Sequence, residues 1–410
     1  MKDLKGPSFI IGNIAKGEDF WNREDEITTI WKILEKDNVL LKAPRRFGKS
    51  SIMNKLFECP NPGFIVFFQD TEKLSEPEEF ITSIISQMLE KSFFQKHFRT
   101  FSKMMNDLVS RIEVSAGYDG MPDVRIKIKE SLKTNWKEEG RNLIGHLKGY
   151  HERILFILDE LPELIKNIER KRGKDTAIEF LQWFRSIRQM PELSNIRWLV
   201  GGSIGIEHLL QKIEAGTKTI NDFSTYRVEP LLKEDGYNFI KALMKKEANI
   251  EKVSNSILDK LINTIGPPVP YFIQIILKES LYEMNRQGKK SLSNEIIDKA
   301  YNENVLGPTS RSYFEHYYER LKEYYDPDIE AIAKRLLTEI ARKYEVKKTE
   351  LFKLFSQISK GKYKTDDFSY LMSDLENDFY ISYKNESDSY YFTLKILRDW
   401  WLRYYDLVEE

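Results

Sequence analysis

The sequence predicts an α/β fold with a five-stranded parallel sheet, followed by a helical segment and a tail of three helices and a hairpin. Three observations carry that expectation. Strand-like segments at Val39–Leu41, Phe64–Phe68, Ile154–Leu158, Ile196–Val200 and Tyr226–Val228 alternate with helical patterns, as in a parallel sheet covered on both faces. Past Pro230 the pattern turns helical and stays so to about residue 305. Beyond Gly307-Pro308, helices near 328–344, 348–358 and 365–377 precede two strand-like runs, Phe379–Tyr383 and Tyr390–Thr393, joined by the polar turn Asn385–Ser389.

Composition sets the outer bounds. A chain of 410 residues holds two or three domains, and 41% apolar residues supply their cores. Lys+Arg and Asp+Glu are equal at 64 each, so no net charge draws the chain to nucleic acid or anionic membrane. Cys59 is the sole cysteine, which excludes an internal disulfide framework and a cysteine-based zinc cluster, and the five histidines show no ligand spacing. The N-terminus lacks a secretory apolar stretch and no run approaches membrane-spanning length. A cytoplasmic protein with no membrane contact is expected.

The elements follow in order. Phe9-Ile10-Ile11-Gly12 and Phe20-Trp21-Asn22-Arg23 lead to an acidic helix start at Glu24-Asp25-Glu26, continued by Ile27, Ile30, Trp31 and Leu34 at helical spacing. The strand Val39–Leu41 then enters a tight loop, and Gly48-Lys49-Ser50 opens a helix carrying Ile52, Met53 and Leu56. A strand, a short loop and Gly-Lys-Ser at a helix start form the setting of a P-loop. The loop amides and helix N-terminus cradle polyphosphate oxygens, here Ala43, Pro44, Arg45, Arg46, Phe47, Gly48, Lys49, Ser50 and Ser51. Lys49 would reach the β- and γ-phosphates and the Ser50 hydroxyl would ligate Mg²⁺. Ala43 stands where the first glycine is usual; a methyl group at a strand end is sterically mild.

After the second strand, Ser75 and Glu78 have capping-box spacing ahead of a stripe of Phe80, Ile81, Ile84, Ile85 and Met88. Alternating runs between Arg111 and Ile128 around Gly117-Tyr118-Asp119-Gly120 predict an inserted β-hairpin. The run from Ile154 to Leu158 reads as a central strand buried on both faces and ends in Asp159-Glu160, at the sheet edge where open α/β sheets bind ligands. Asp159 is placed to hold Mg²⁺, and Glu160 to orient and deprotonate the attacking water. No Asn-Lys-x-Asp segment for guanine occurs, so ATP is favoured over GTP. The expected organisation is a P-loop NTPase core over 1–230 with an insertion at about 75–150, a helical lid over 231–305, and a winged-helix-like domain over 306–410.

Taken together, Phe20 to Glu26, Ala43 to Ser50, Leu158-Asp159-Glu160, Gly201-Gly202-Ser203 and Gly266-Pro267-Pro268 resemble the prokaryotic and archaeal ATPase family of the STAND and AAA+ group of P-loop NTPases. That resemblance implies an extra strand between the P-loop strand and the Asp-Glu strand, and a helical lid. It implies that Ser203 senses the γ-phosphate, that Ile10 to Arg23 borders the adenine, and that Pro268 packs near the base. Asn22 departs from the family's more usual Gly. Arg45, Arg46, Arg185 and Arg188 are the candidates for an arginine finger, each better explained as a solvated or salt-bridged side chain.

The function expected is Mg²⁺-dependent ATP hydrolysis driving a switch between core, lid and tail. Two alternatives stand beside it: a winged-helix DNA-binding regulator with nucleotide as a structural ligand, and a switch that hydrolyses slowly. Asp366, Asp367, Asp374 and Glu376, with no Lys or Arg, occupy the third tail helix and disfavour duplex DNA, although Lys360, Lys362 and Lys364 lie close by. A protein partner or self-association is the expected role of the tail. Tyr317-Tyr318, Tyr324-Tyr325 and Trp400-Trp401 are read as core rather than partner surface.

Overall fold

The computed structural model describes residues 6–90, 121–148, 152–203 and 206–406. The chain divides into two compact units: one comprises Glu24–Lys42 and Ile52–Arg227, the other Met1–Arg23, Ala43–Ser51 and Val228–Glu410.

The first unit is built on a five-stranded sheet of β1 (Asn38–Ala43), β2 (Phe64–Asp70), β3 (Arg153–Asp159), β4 (Ile196–Ser203) and β5 (Phe223–Arg227), in the order β2-β3-β4-β1-β5. β1 runs parallel to β5, and β3 parallel to both β2 and β4. β4 thus lies between β1 and β3, as the resemblance implies. The fifth strand begins at Phe223, ahead of the Tyr226 read from sequence, because Phe223 to Tyr226 alternates in burial and lacks a continuous apolar run. β3 is buried along Ile154 to Leu158, so every side chain must be apolar, which is why this strand stands out in the sequence.

Register adds a ladder of rings. Phe67, Phe156 and Trp198 sit opposite one another on β2, β3 and β4. Phe67 and Phe156 stack at 5.3 Å, and Phe156 and Trp198 at 4.7 Å. Phe184 closes the ladder edge-on at 5.0 Å from Trp198, from the helix lying before β4.

The helices of this unit are α1 (Glu24–Leu34), α2 (Lys49–Glu58, shared with the other unit), α3 (Pro77–Glu90), α4 (Met121–Gly145), α5 (Leu161–Arg172), α6 (Lys174–Arg188) and α7 (Ile206–Lys212). Two expectations need correction. The second arm of the expected hairpin is helical: Met121–Ile128 belongs to α4, while its first arm lies outside the described residues. Its alternation spans too few residues to outweigh the helix formers that follow it, and the helical path breaks only at Asn135, where φ is −152° and ψ 67°. The capping box also shifts: the Ser75 amide and hydroxyl donate to Glu79 Oε2 at 2.8 and 3.1 Å, whereas Glu78 is buried with 1% exposure and faces Arg172.

Arg188 holds the end of α6. Its guanidinium donates through Nε and Nη2 to the two Asp222 oxygens, each at 2.8 Å, and to the Thr219 carbonyl at 2.6 Å. Phe184 and Phe223 flank it with ring centroids at 4.4 and 4.3 Å. This buried fork is the salt-bridged alternative for Arg188: its Nε and Nη2 donors are committed to one carboxylate and one carbonyl. Replacement by Met leaves Asp222 without its partner, and unfolding in urea should reveal a loss of about 3–5 kcal/mol. A loss below about 1 kcal/mol would mean that the pair is solvated.

The second unit joins the helices after Val228 to the tail. It contains α8 (Lys233–Ala248), α9 (Asn255–Ile265), α10 (Pro270–Arg286) and α11 (Asn294–Lys299), continued by one π-helical turn over Ala300–Val305. The tail contributes α12 (Glu315–Tyr324), α13 (Pro327–Lys343), α14 (Lys348–Ser359), α15 (Thr365–Asn377) and a closing helix α16 (Lys395–Tyr405). Its antiparallel sheet has the order β6-β8-β7, from β6 (Glu345–Lys347), β7 (Ile381–Lys384) and β8 (Ser389–Phe392). Helices α13 to α15 are followed by the β7–β8 hairpin, the three helices and hairpin read from the sequence; β6 and α16 are additional. Phe272, Phe314 and Trp400 stack at 5.8 and 5.7 Å and tie α10 to α16. Tyr317, Tyr324, Tyr325, Trp400 and Trp401 are buried, as core packing requires.

Candidate nucleotide-binding site

β1 ends at Ala43, buried at the strand terminus, and the next residues turn sharply. The Phe47 amide donates to the Pro44 carbonyl at 3.3 Å, Arg46 takes a left-handed φ of 74° and Gly48 a φ of 93°. For Gly48 that conformation is free of steric cost. For Arg46 such a conformation costs about 1–3 kcal/mol and persists only where neighbours fix it. Here they do: the Arg46 guanidinium lies 5.0 Å from the Tyr271 ring centroid and donates to the Gly12 carbonyl at 3.4 Å. Lys49 then opens α2, buried to 7% exposure, with Ser50 next in its first turn. The Ser51 hydroxyl accepts from the Ala15 amide at 3.0 Å, joining the loop to the N-terminal segment.

The loop is also gripped by the tail, which nothing in the sequence pattern revealed. Phe47, 1% exposed, packs on Phe379 with ring centroids 5.0 Å apart. Tyr317 Oη donates to the Arg45 carbonyl at 3.3 Å, and Tyr380 Oη donates to the Tyr317 carbonyl at 2.5 Å. Burial, reinforced by the charges of Arg45, Arg46 and Arg320, pushes the His316 imidazole down to about 3, so it is neutral beside the loop. Arg45 itself is exposed.

The N-terminal segment is ordered by the same unit. The Ile10 amide donates to Gln274 Oε1 of α10 at 2.6 Å. Asn22 has a φ of 51°, the left-handed conformation a glycine would adopt freely and one that Asn tolerates better than most residues. Arg23, 5% exposed, donates through Nη1 to the Glu229 carbonyl at 2.9 Å. Pro268 accepts from the Leu231 amide at 3.0 Å and lies so near α8 that a β-carbon at Gly236 would meet its ring at 2.8 Å. Arg23 and Pro268 thus flank the short segment Glu229–Leu231.

In the sheet unit, the exits of β1, β4 and β3 lie along one edge. Asp159 ends β3 with 6% exposure, and its Oδ1 accepts the Glu160 amide at 3.0 Å. Glu160 is left-handed, at φ 57° and ψ 41°, and caps α5. Gly201 and Gly202 allow β4 to pass this corner: β-carbons there would stand 3.0 Å from Asp159 Oδ1 and 2.8 Å from Pro162 Cγ. Ser203 is the last residue of β4. At the β1 exit, Lys42 is ion-paired with Glu207 at the start of α7. Arg185 lies on α6 with its Nε buried and no partner for that atom among the described residues.

Among the described residues no cluster of three or more His, Cys, Asp or Glu could hold a metal alone. Mg²⁺ is ordinarily held by one or two protein oxygens together with nucleotide phosphates, and the Asp159 carboxylate and the Ser50 hydroxyl are each oxygen donors of the kind it takes. No helix among those residues is long and apolar enough to cross a membrane.

No family model matches the chain, and no curated protein matches it significantly. Solved structures do match. A Walker-type ATPase of Pyrococcus abyssi is similar at TM-score 0.59 and 18% identity, over 96% of this chain and 99% of that one. The ORC2 protein of Aeropyrum pernix, in ADPNP and ADP complexes, is similar at TM-score 0.52 and 12% identity, over 95% and 94%. Both likenesses run nearly end to end, so the parallel sheet and the helices after it form a fold shared with these two proteins.

Proposed function

We propose that this chain binds ATP with Mg²⁺ in the cytoplasm, hydrolyses it, and passes the loss of the γ-phosphate to its lid and tail. The observation carrying the reading is the turn at Arg46 to Gly48, which ends with Lys49 at the start of α2, directly after a parallel strand. The loop amides and Lys49 take the phosphate oxygens. Ser50 and Asp159 would hold Mg²⁺, which supplies charge neutralisation on the β- and γ-phosphates. Glu160 accepts a proton from water as the water oxygen bonds the γ-phosphorus; the bond to the β-phosphate oxygen breaks and ADP leaves with that electron pair. Ser203 senses the γ-phosphate from the end of β4. Ile10, Asn22, Arg23 and Pro268 border the adenine. Membership of the STAND branch of AAA+ proteins is part of the same proposal.

The tail contacts support the switch. Phe47 and Arg45 belong to the loop that holds phosphate, and Phe379 and Tyr317 touch them. Phe379→Ala should raise the ADP dissociation rate about 5–10-fold, because an aromatic pair contributes roughly 0.5–1.5 kcal/mol beyond its buried area. Stopped-flow release of a fluorescent ADP measures this; an unchanged rate would separate tail from nucleotide. The partner of the tail is a second copy or another protein in this reading. Retardation of duplex DNA that weakens with salt would instead favour the DNA-binding alternative.

A further inference from the structure

We propose that Thr71 is a positioning residue for Glu160, an inference that rests on the reading of Glu160 as the water-activating base. β2 and β3 run in register until Asp70 stands opposite Asp159, and Thr71 is the first residue beyond that pair. Its side chain is fully buried. Its amide donates to the Asp159 carbonyl at 3.0 Å, and its hydroxyl donates to the same oxygen at 2.7 Å. Two donors therefore converge on the peptide that joins Asp159 to Glu160. The amide of that peptide is fixed too, since the Glu160 N–H donates to Asp159 Oδ1 at 3.0 Å.

Both ends of one peptide are thus held, and the residue it delivers is the left-handed Glu160. A side-chain-bearing residue stays in that region only where its surroundings over-determine it. The amide bond would survive at any residue except proline, whereas the second bond needs a hydroxyl. Strand pairing and packing do not require it, because valine has nearly the same shape. What the hydroxyl fixes is the rotation of the Asp159–Glu160 peptide, and with it the direction of the Glu160 carboxylate. Serine retains this bond and valine loses it.

The test uses full-length protein carrying Thr71→Val, Thr71→Ala or Thr71→Ser, with kcat, KM and ADP affinity measured for each. Thr71→Val should lower kcat about 10- to 100-fold, the scale of a displacement near 1 Å, with KM and ADP affinity within about threefold of wild type. Thr71→Ser should recover most of that loss. If the valine variant fails to fold, the alanine variant makes the same comparison. In a Glu160→Gln background the loss of the hydroxyl should have no further effect. A wild-type kcat in a hydroxyl-less variant, alongside an inactive Glu160→Gln, would overturn the positioning role alone. Turnover persisting in Glu160→Gln would overturn the reading of the base instead.

Discussion

Lys49→Ala is expected to abolish ATP binding at concentrations that saturate the wild type. The side chain is buried to 7% exposure at the first residue of α2, the helix N-terminus at which phosphate oxygens would bind. Hydrogen bonds to charged groups contribute roughly 1.5–3 kcal/mol each, and Lys49 would make them to two phosphates, so the dissociation constant should rise about 100-fold or more. Lys49→Met retains most of the stem and its packing while removing the charge. Calorimetric titration of both variants separates the two contributions: both should lose ATP, and Lys49→Met should keep a thermal midpoint close to wild type. ATP bound normally by Lys49→Met would deny the loop its phosphate.

Glu160→Gln carries the second large effect, on turnover and not on binding. The amide side chain is nearly isosteric and leaves the backbone of the α5 cap in place, but it cannot accept a proton from water. A positioned general base contributes about 10²–10⁴-fold, so kcat should fall by that factor while ATP remains bound. Quench-flow with radiolabelled ATP measures the chemical step apart from product release. A fall of less than about threefold would transfer the base to another group.

The sequence disclosed the parts of this molecule whose chemistry is local. Four of the five sheet strands were legible because Val39–Leu41, Phe64–Phe68 and Ile154–Leu158 read as unbroken apolar runs and Ile196–Val200 is broken only at Arg197. β5 is half exposed and alternating, which concealed its first residues. The α4 segment misled because Val124, Ile126 and Ile128 alternate, and a short alternation does not determine a period. Around the candidate site, Gly48, Lys49, Asp159 and Glu160 were legible from residue types at fixed spacing. Phe47 against Phe379, Arg46 over Tyr271 and Thr71 on the Asp159 carbonyl were not, because each joins residues far apart in the chain. Arg188 looked like a finger candidate from sequence; only the fold brings Asp222 and two rings around it.

Phosphate release from Mg²⁺·ATP under single-turnover conditions, by full-length wild type and Glu160→Gln side by side, tests the central claim most directly. The account predicts that wild type converts its bound ATP to ADP and phosphate, while the variant retains the ATP intact. Equal phosphate release from both proteins, or no ATP retained by either, would contradict it.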